Sequence, residues 1–211
     1  MMKLLIIACI VVTCVCVCLL GLMRLDREHG MKFTTGVVAG ICAGGLIAVW
    51  IWFKMTVNFP WPIRLAWLVL HIYFLCCSVT DYQTCQVYDI FQYIGIAASA
   101  YLLLTGNTDI MTGFSILLFG LVQYFLFMRL YGTADGMTFL IAALAEGAMG
   151  YHITGYLFHM IVAYLMLSLI QAIKGNIGCR GRLKKAVPFL PYITVSFWVM
   201  LVYAEEIQAC L

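Results

Sequence analysis

The chain is short of charge: 12 Lys and Arg and 9 Asp and Glu among 211 residues, 10% in all, where soluble domains carry roughly a quarter. That scarcity excludes a polar shell around a soluble core. Long polar stretches are missing too. The longest, Lys174 to Ala186, has 13 residues, which leaves no room for a separate soluble domain. Ten cysteines are present but no CxxC pair, so a structural zinc site of paired thiolates has no basis. Cys14, Cys16 and Cys18 alternate, but successive members point about 200° apart around a helix and do not converge on one ion. They read as small apolar packing residues.

What is present is apolar: 65% of the residues are hydrophobic. Crossing a bilayer takes about 20 apolar residues as a helix, because irregular backbone facing lipid leaves its amides unsatisfied. Eight apolar runs qualify as candidates: Leu4 to Met23, Phe33 to Phe53, Trp61 to Val79, Ile90 to Leu104, Thr112 to Leu130, Met137 to Met149, Ile153 to Ile173 and Val187 to Tyr203. The fourth and sixth are short, so the expected architecture is an all-α, polytopic membrane bundle of about eight spans, with six to eight as the range. Residues 1–211 form one membrane-embedded domain in this reading. The first run, unbroken to Met23, exceeds a signal-peptide core and is expected as a retained span.

Orientation follows from Lys and Arg in short loops. KGNIGCRGRLKK, residues 174–185, holds five basic residues and no acid, which assigns it to the cytoplasm. Alternating outward, the loops around Asp135, around Asp81 to Asp89 and from Arg24 to Lys32 fall on that side. The segment reads first as an anchor against anionic lipid, with substrate docking as the functional alternative.

Acids near a membrane default to functional candidates. Asp81 and Asp135 are separated by 54 residues, enough for one helix out and one back, so both return to the same membrane face. Two carboxyls at a low-dielectric boundary do not both ionise cheaply; one proton is shared and one carboxylate remains a base. Such a pair can activate water against a peptide bond and protonate the departing nitrogen. The plainer alternative is that each Asp ends a helix, with Asp135 as an N-cap of the sixth span. Gly132, Ala134 and Gly136 around Asp135 let an extended substrate backbone approach, or simply form a turn.

These residues resemble a known family. Asp135 in Gly132-Thr133-Ala134-Asp135, followed by Ala142-Ala143-Leu144 and Gly147-Ala148-Met149-Gly150, resembles the GxGD motif of type IV prepilin peptidases. Asp81, with Tyr82-Gln83-Thr84-Cys85-Gln86-Val87-Tyr88-Asp89 and Gly95, resembles their first aspartate motif. Ala186-Val187-Pro188-Phe189-Leu190-Pro191-Tyr192 is similar to their hydrophobic-Pro-Phe-x-Pro lead-in to the last helix. The resemblance covers roughly residues 65–200. It implies a membrane-embedded aspartic endopeptidase that removes the basic leader of prepilins or pilin-like proteins at the cytoplasmic face of a prokaryotic cell membrane. Asp81 and Asp135 would be the catalytic pair, Gly132, Ala134, Gly136 and Asp89 would border the substrate, and Asp89 would double as a cap or loop anchor. Its partners would be the pilin-like substrate and membrane lipid, with no cofactor, metal or nucleic acid.

Three positions differ from the family pattern: Tyr88 stands where Pro is usual, Ala134 replaces the second Gly of GxGD, and Met137 follows where Lys is usual. The large bifunctional members carry paired CxxC motifs near the N-terminus for methylating the new pilin end. The Arg24 to Lys32 loop has no Cys, which implies cleavage without methylation. Two other classes stay open: a pilin-binding relative without catalysis, and a transporter using its acids for cations or protons.

Glu146 lies 11 residues beyond Asp135 and returns to within about 20° of the same helix face. It is expected to line a water path, to pair with His152 or His159, or to cap its span. The two histidines, seven apart, are expected on one helix stripe as packed, hydrogen-bonded groups. Trp50, Trp52, Trp61 and Trp67 are expected in an interfacial belt.

Overall fold

A computed structural model of the chain describes residues 2–25, 31–106, 108–130, 132–176 and 187–203. Among them are eight α-helices and no strand. They are α1 (Met2–Leu25), α2 (Thr35–Thr56), α3 (Trp61–Thr84), α4 (Asp89–Thr105), α5 (Ile110–Leu130), α6 (Thr133–Ala148), α7 (Ile153–Asn176) and α8 (Leu190–Val202). Each of the eight apolar runs is therefore one helix. Four of them, in α2, α3, α5 and α7, are long and apolar enough to cross a membrane; α1, α4 and α8 carry shorter apolar stretches. The side chains of the basic segment 174–185 lie outside the described residues, as do Glu205, Glu206 and Cys210.

The punctuation between helices has local causes. All four prolines, Pro60, Pro62, Pro188 and Pro191, precede or open a helix, where a missing amide hydrogen costs nothing. Pro60 and Pro62 start α3, and Pro188 and Pro191 start α8. Thr34 caps α2, its hydroxyl accepting the Val37 amide at 3.3 Å. Two ends of the Asp-bearing helices differ from the apolar runs. α3 continues past Val79 to Thr84, so Asp81 stands in its last turn rather than after it. Cys85, at φ 53°, closes that helix in the left-handed region, its amide bonding the Asp81 carbonyl at 2.8 Å.

α3 is the hub, packing on α1, α2, α4 and α8, while α6 packs on α4, α5 and α8. Between α3 and α8 the rings of Phe74 and Phe197 lie 4.5 Å apart. The outer faces are apolar as well: Ile110, Met111 and Phe114 on α5 and Ile161, Leu165 and Leu169 on α7 are all more than half exposed.

The tryptophans divide, against the expectation of a belt. Trp50 and Trp61 are exposed, whereas Trp52 and Trp67 are core residues with 1% and 2% exposure. The Trp52 indole N–H has an internal partner, the Arg64 carbonyl at 2.6 Å, and the Arg64 guanidinium lies over the Trp52 and Trp61 rings. A satisfied indole N–H no longer needs the interface, which is why Trp52 can be buried.

Candidate active site

Five helix ends meet at one end of the molecule. The Gln83 side chain in α3 accepts the Lys32 amide ahead of α2 at 2.8 Å, Asp81 meets the start of α8, and Gln92 in α4 reaches the start of α6. Asp81 is 6% exposed. Its Oδ2 accepts the Leu190 amide at 2.9 Å, and the Phe189 amide also bonds the carboxylate. The first amides of a helix have no partner within it. Phe189, the N-cap of α8, offers no side-chain acceptor, and Pro191 has no hydrogen to give. Asp81 supplies the missing acceptor from another helix, at the positive end of the α8 dipole. The segments Asp81–Asp89 and Pro188–Pro191, far apart in sequence, are thus in contact.

Asp135 is held differently. Gly132 is the N-cap of α6, and Asp135 is the third helical residue. It is therefore not the cap that its position ahead of an apolar run suggested. The N-cap site here has φ 134°, a conformation that favours glycine. Asp135 is half-buried and has no hydrogen-bond partner among the described residues. It stands in the first turn of α6, at the end of the molecule where Asp81 meets α8, close enough for the Asp81 charge to act on it.

A polar network lies beneath this pair. The Tyr73 hydroxyl bonds Gln92 Oε1 at 2.9 Å and Thr138 Oγ1 at 3.0 Å, while Thr138 donates to the Ala134 carbonyl at 2.9 Å. Gln92 Nε2 reaches the same carbonyl at 3.4 Å. Tyr73, Gln92 and Thr138 are buried, and they tie α3 and α4 to the first turn of α6. Sequence reasoning passed over all three. Their signal was faint: Thr138 stands three residues beyond Asp135 and Gln92 three beyond Asp89, one helical turn deeper than each acid.

The residues expected to border a substrate divide. Gly132 and Ala134 belong with Asp135 to the turn that opens α6, both partly exposed. Gly136 is buried against α5, where a Cβ would come within 3.0 Å of the Tyr124 carbonyl; helix packing accounts for its lack of a side chain. Asp89 is exposed as the first residue of α4, where a negative charge meets the helix N-terminus. It is apart from the Asp81 cluster. A groove of about 530 Å³ runs between α2, α3 and α8, lined by Gly36, Gly40 and Gly44 on one side and by Ser78 and Tyr82, which flank Asp81, on another.

Among the described residues no group of three His, Cys, Asp or Glu side chains is arranged to hold a metal. Glu146 and His159, both fully buried, are in contact with each other, whereas His152 is exposed and precedes α7 rather than sharing its stripe. Comparison with protein-family models, with curated proteins and with solved structures gave no match.

Proposed function

We propose that this chain is a membrane-embedded aspartic endopeptidase of the type IV prepilin peptidase kind, cleaving the basic leader of a prepilin or pilin-like protein. The observation that carries the reading is the meeting of Asp81 and Asp135 at one end of an all-helical, strongly apolar molecule, with the charge of one acting on the other. The Pro188–Pro191 segment, the third element of the resemblance, touches the first through the Leu190 amide. In this reading all eight helices belong to a membrane bundle in a prokaryotic cell membrane, and the aspartate end faces the cytoplasm, where basic loops reside.

Asp81, held as a carboxylate by the first amides of α8, is the base that takes a proton from water as the oxygen attacks the scissile carbonyl. Asp135, half-buried beside that charge and without amide donors, is the acid that donates a proton to the leaving nitrogen. The Tyr73–Gln92–Thr138 network fixes the α6 turn on which Asp135 rides. A second reading draws on a specific contact. Because Asp81 caps α8, a pilin-binding relative without catalysis would keep Asp81 for structure alone.

Co-expression with a prepilin bearing a basic leader, a terminal leader Gly and an apolar helix tests the proposal by a gel shift. Wild type is expected to shorten the substrate, and Asp81→Asn and Asp135→Asn each to leave it at full length. Unchanged processing in either variant removes the dyad mechanism.

A further inference from the structure

Deep in the molecule, 11 residues along α6 from Asp135, the Glu146 carboxylate meets His159 of α7. Oε1 lies 2.5 Å from Nδ1, and both side chains are 0% exposed. Nothing in the proposed chemistry uses either group. The other ring nitrogen, Nε2, lies 3.2 Å from the Ile193 carbonyl of α8. A carbonyl only accepts, so Nε2 carries hydrogen and donates. On the other side Nδ1 faces Oε1, and the second carboxylate oxygen has no hydrogen-bond partner among the described residues. Such a pair can be buried without a net charge, but neither member can be removed alone without stranding the other.

Its placement gives the pair a mechanical consequence. The backbones of α6 and α7 scarcely approach each other, and side chains from α7 bridge the gap. The Tyr156 hydroxyl, one turn from His159, donates to the Phe139 carbonyl of α6 at 3.2 Å. Just ahead of α7, the Tyr151 hydroxyl donates to the Met200 carbonyl of α8 at 2.9 Å. Ile193, the residue that His159 holds, is three residues from Leu190, whose amide holds Asp81. Glu146 returns to the Asp135 side of α6, about 16 Å along the axis. A continuous path therefore runs from Asp135 down α6, across Glu146 and His159, and up the first turn of α8 to Asp81.

We infer that Glu146 and His159 are positioning residues: their buried contact, with the His159–Ile193 bond, fixes α6 against α7 and α8 and so sets Asp135 relative to Asp81. As a statement about reaction geometry this rests on the peptidase reading; as a statement about helix position it does not. In neutral form the Nδ1 atom accepts, so a Gln at 146 can donate its amide hydrogen to it and preserve the latch. Leu at both 146 and 159 removes it while leaving no stranded polar partner, a replacement that buried ion pairs commonly tolerate.

The test uses the full chain in detergent, with two readouts. Spin labels at exposed Thr133 and Val195, introduced as cysteines in a cysteine-free background, report the α6–α8 distance, and the unlabelled proteins are assayed on the prepilin that wild type cleaves. Glu146→Gln is expected to match wild type in both. The Glu146→Leu/His159→Leu double variant is expected to shift or broaden the distance distribution by about 1 Å or more and to lower kcat roughly 10- to 100-fold, with KM within about twofold. Glu146→Asp, one methylene short, is expected to move both readouts in the same direction and carries the test should the double variant not fold. An unchanged distance distribution in the folded variants overturns the inference, whatever happens to the rate. A wild-type chain that cleaves no prepilin overturns the peptidase reading instead, and the distances still decide the position of α6.

Discussion

Asp81 and Asp135 share one end of the molecule, yet one is held and the other is not. Asp81, in the last turn of α3, is nearly buried and accepts the opening amides of α8. Asp135, in the first turn of α6, is half-buried and has no hydrogen-bond partner among the described residues. The difference teaches that proximity alone does not make two acids equivalent. A carboxylate that caps a helix is oriented by structure and responds to mutation as a structural residue. An acid without a hydrogen-bond partner, even in the first turn of a helix as Asp135 is, gains only the dipole's modest stabilisation, about 0.3–1 kcal/mol, so its burial beside a second charge calls for another explanation.

The contrast breaks most sharply under substitution of the acids themselves. Asp135→Asn is expected to lower leader removal by about 10²- to 10⁴-fold and to leave the unfolding midpoint in detergent where it was. Asp81→Asn is expected to cost as much activity and, in addition, about 1–3 kcal/mol of stability, since an amide accepts the Leu190 and Phe189 hydrogens less well than a carboxylate. Equal destabilisation by the two variants would erase the distinction.

The next effect tests whether the turn at Asp135 is built by its glycines. At Gly136 a Cβ meets the Tyr124 carbonyl at 3.0 Å and the Tyr124 ring at 3.2 Å, so Gly136→Val is expected to force α5 and α6 apart at about 1–3 kcal/mol. Gly132→Ala meets no neighbour within 4 Å, but its φ of 134° costs an L-residue about 1–2 kcal/mol. Thermal or denaturant unfolding in detergent measures both; a neutral Gly136→Val would disprove the close approach of α5 and α6.

A smaller change sharpens the contrast from below. Tyr73→Phe removes the hydroxyl shared by Gln92 and Thr138 and is expected to cost about 1–2 kcal/mol, with the larger loss in kcat because the Asp135 turn loosens while Asp81 keeps its α8 amides. Smallest is Cys85→Gly at the end of α3. Glycine adopts the left-handed cap without strain, so a gain of up to about 1 kcal/mol is expected in the same unfolding assay.

The number and approximate bounds of the helices among the described residues were legible in the sequence because each long apolar run between breaks became one helix. That Asp81 and Asp135 fall at one end of the molecule was legible in part, since 54 residues allow a helix out and a helix back. The Asp81–Leu190 bond was not, because it joins positions 109 apart and depends on an amide, which every residue has. Trp52 looked like an interface residue for a related reason. Its indole hydrogen is met by a backbone carbonyl that leaves no mark in the residue types. For Glu146 the sequence offered two histidines, and the helix boundary at Ile153 chose between them: His152 lies outside α7, while His159 lies inside and faces α6.

The most direct test of the central claim is the rate of leader removal by purified Asp135→Asn beside wild type, with unfolding midpoints taken on the same preparations. Asp135 has no structural bond to lose, so a lost rate at an unchanged midpoint is the result the dyad predicts. Undiminished cleavage by Asp135→Asn would contradict it.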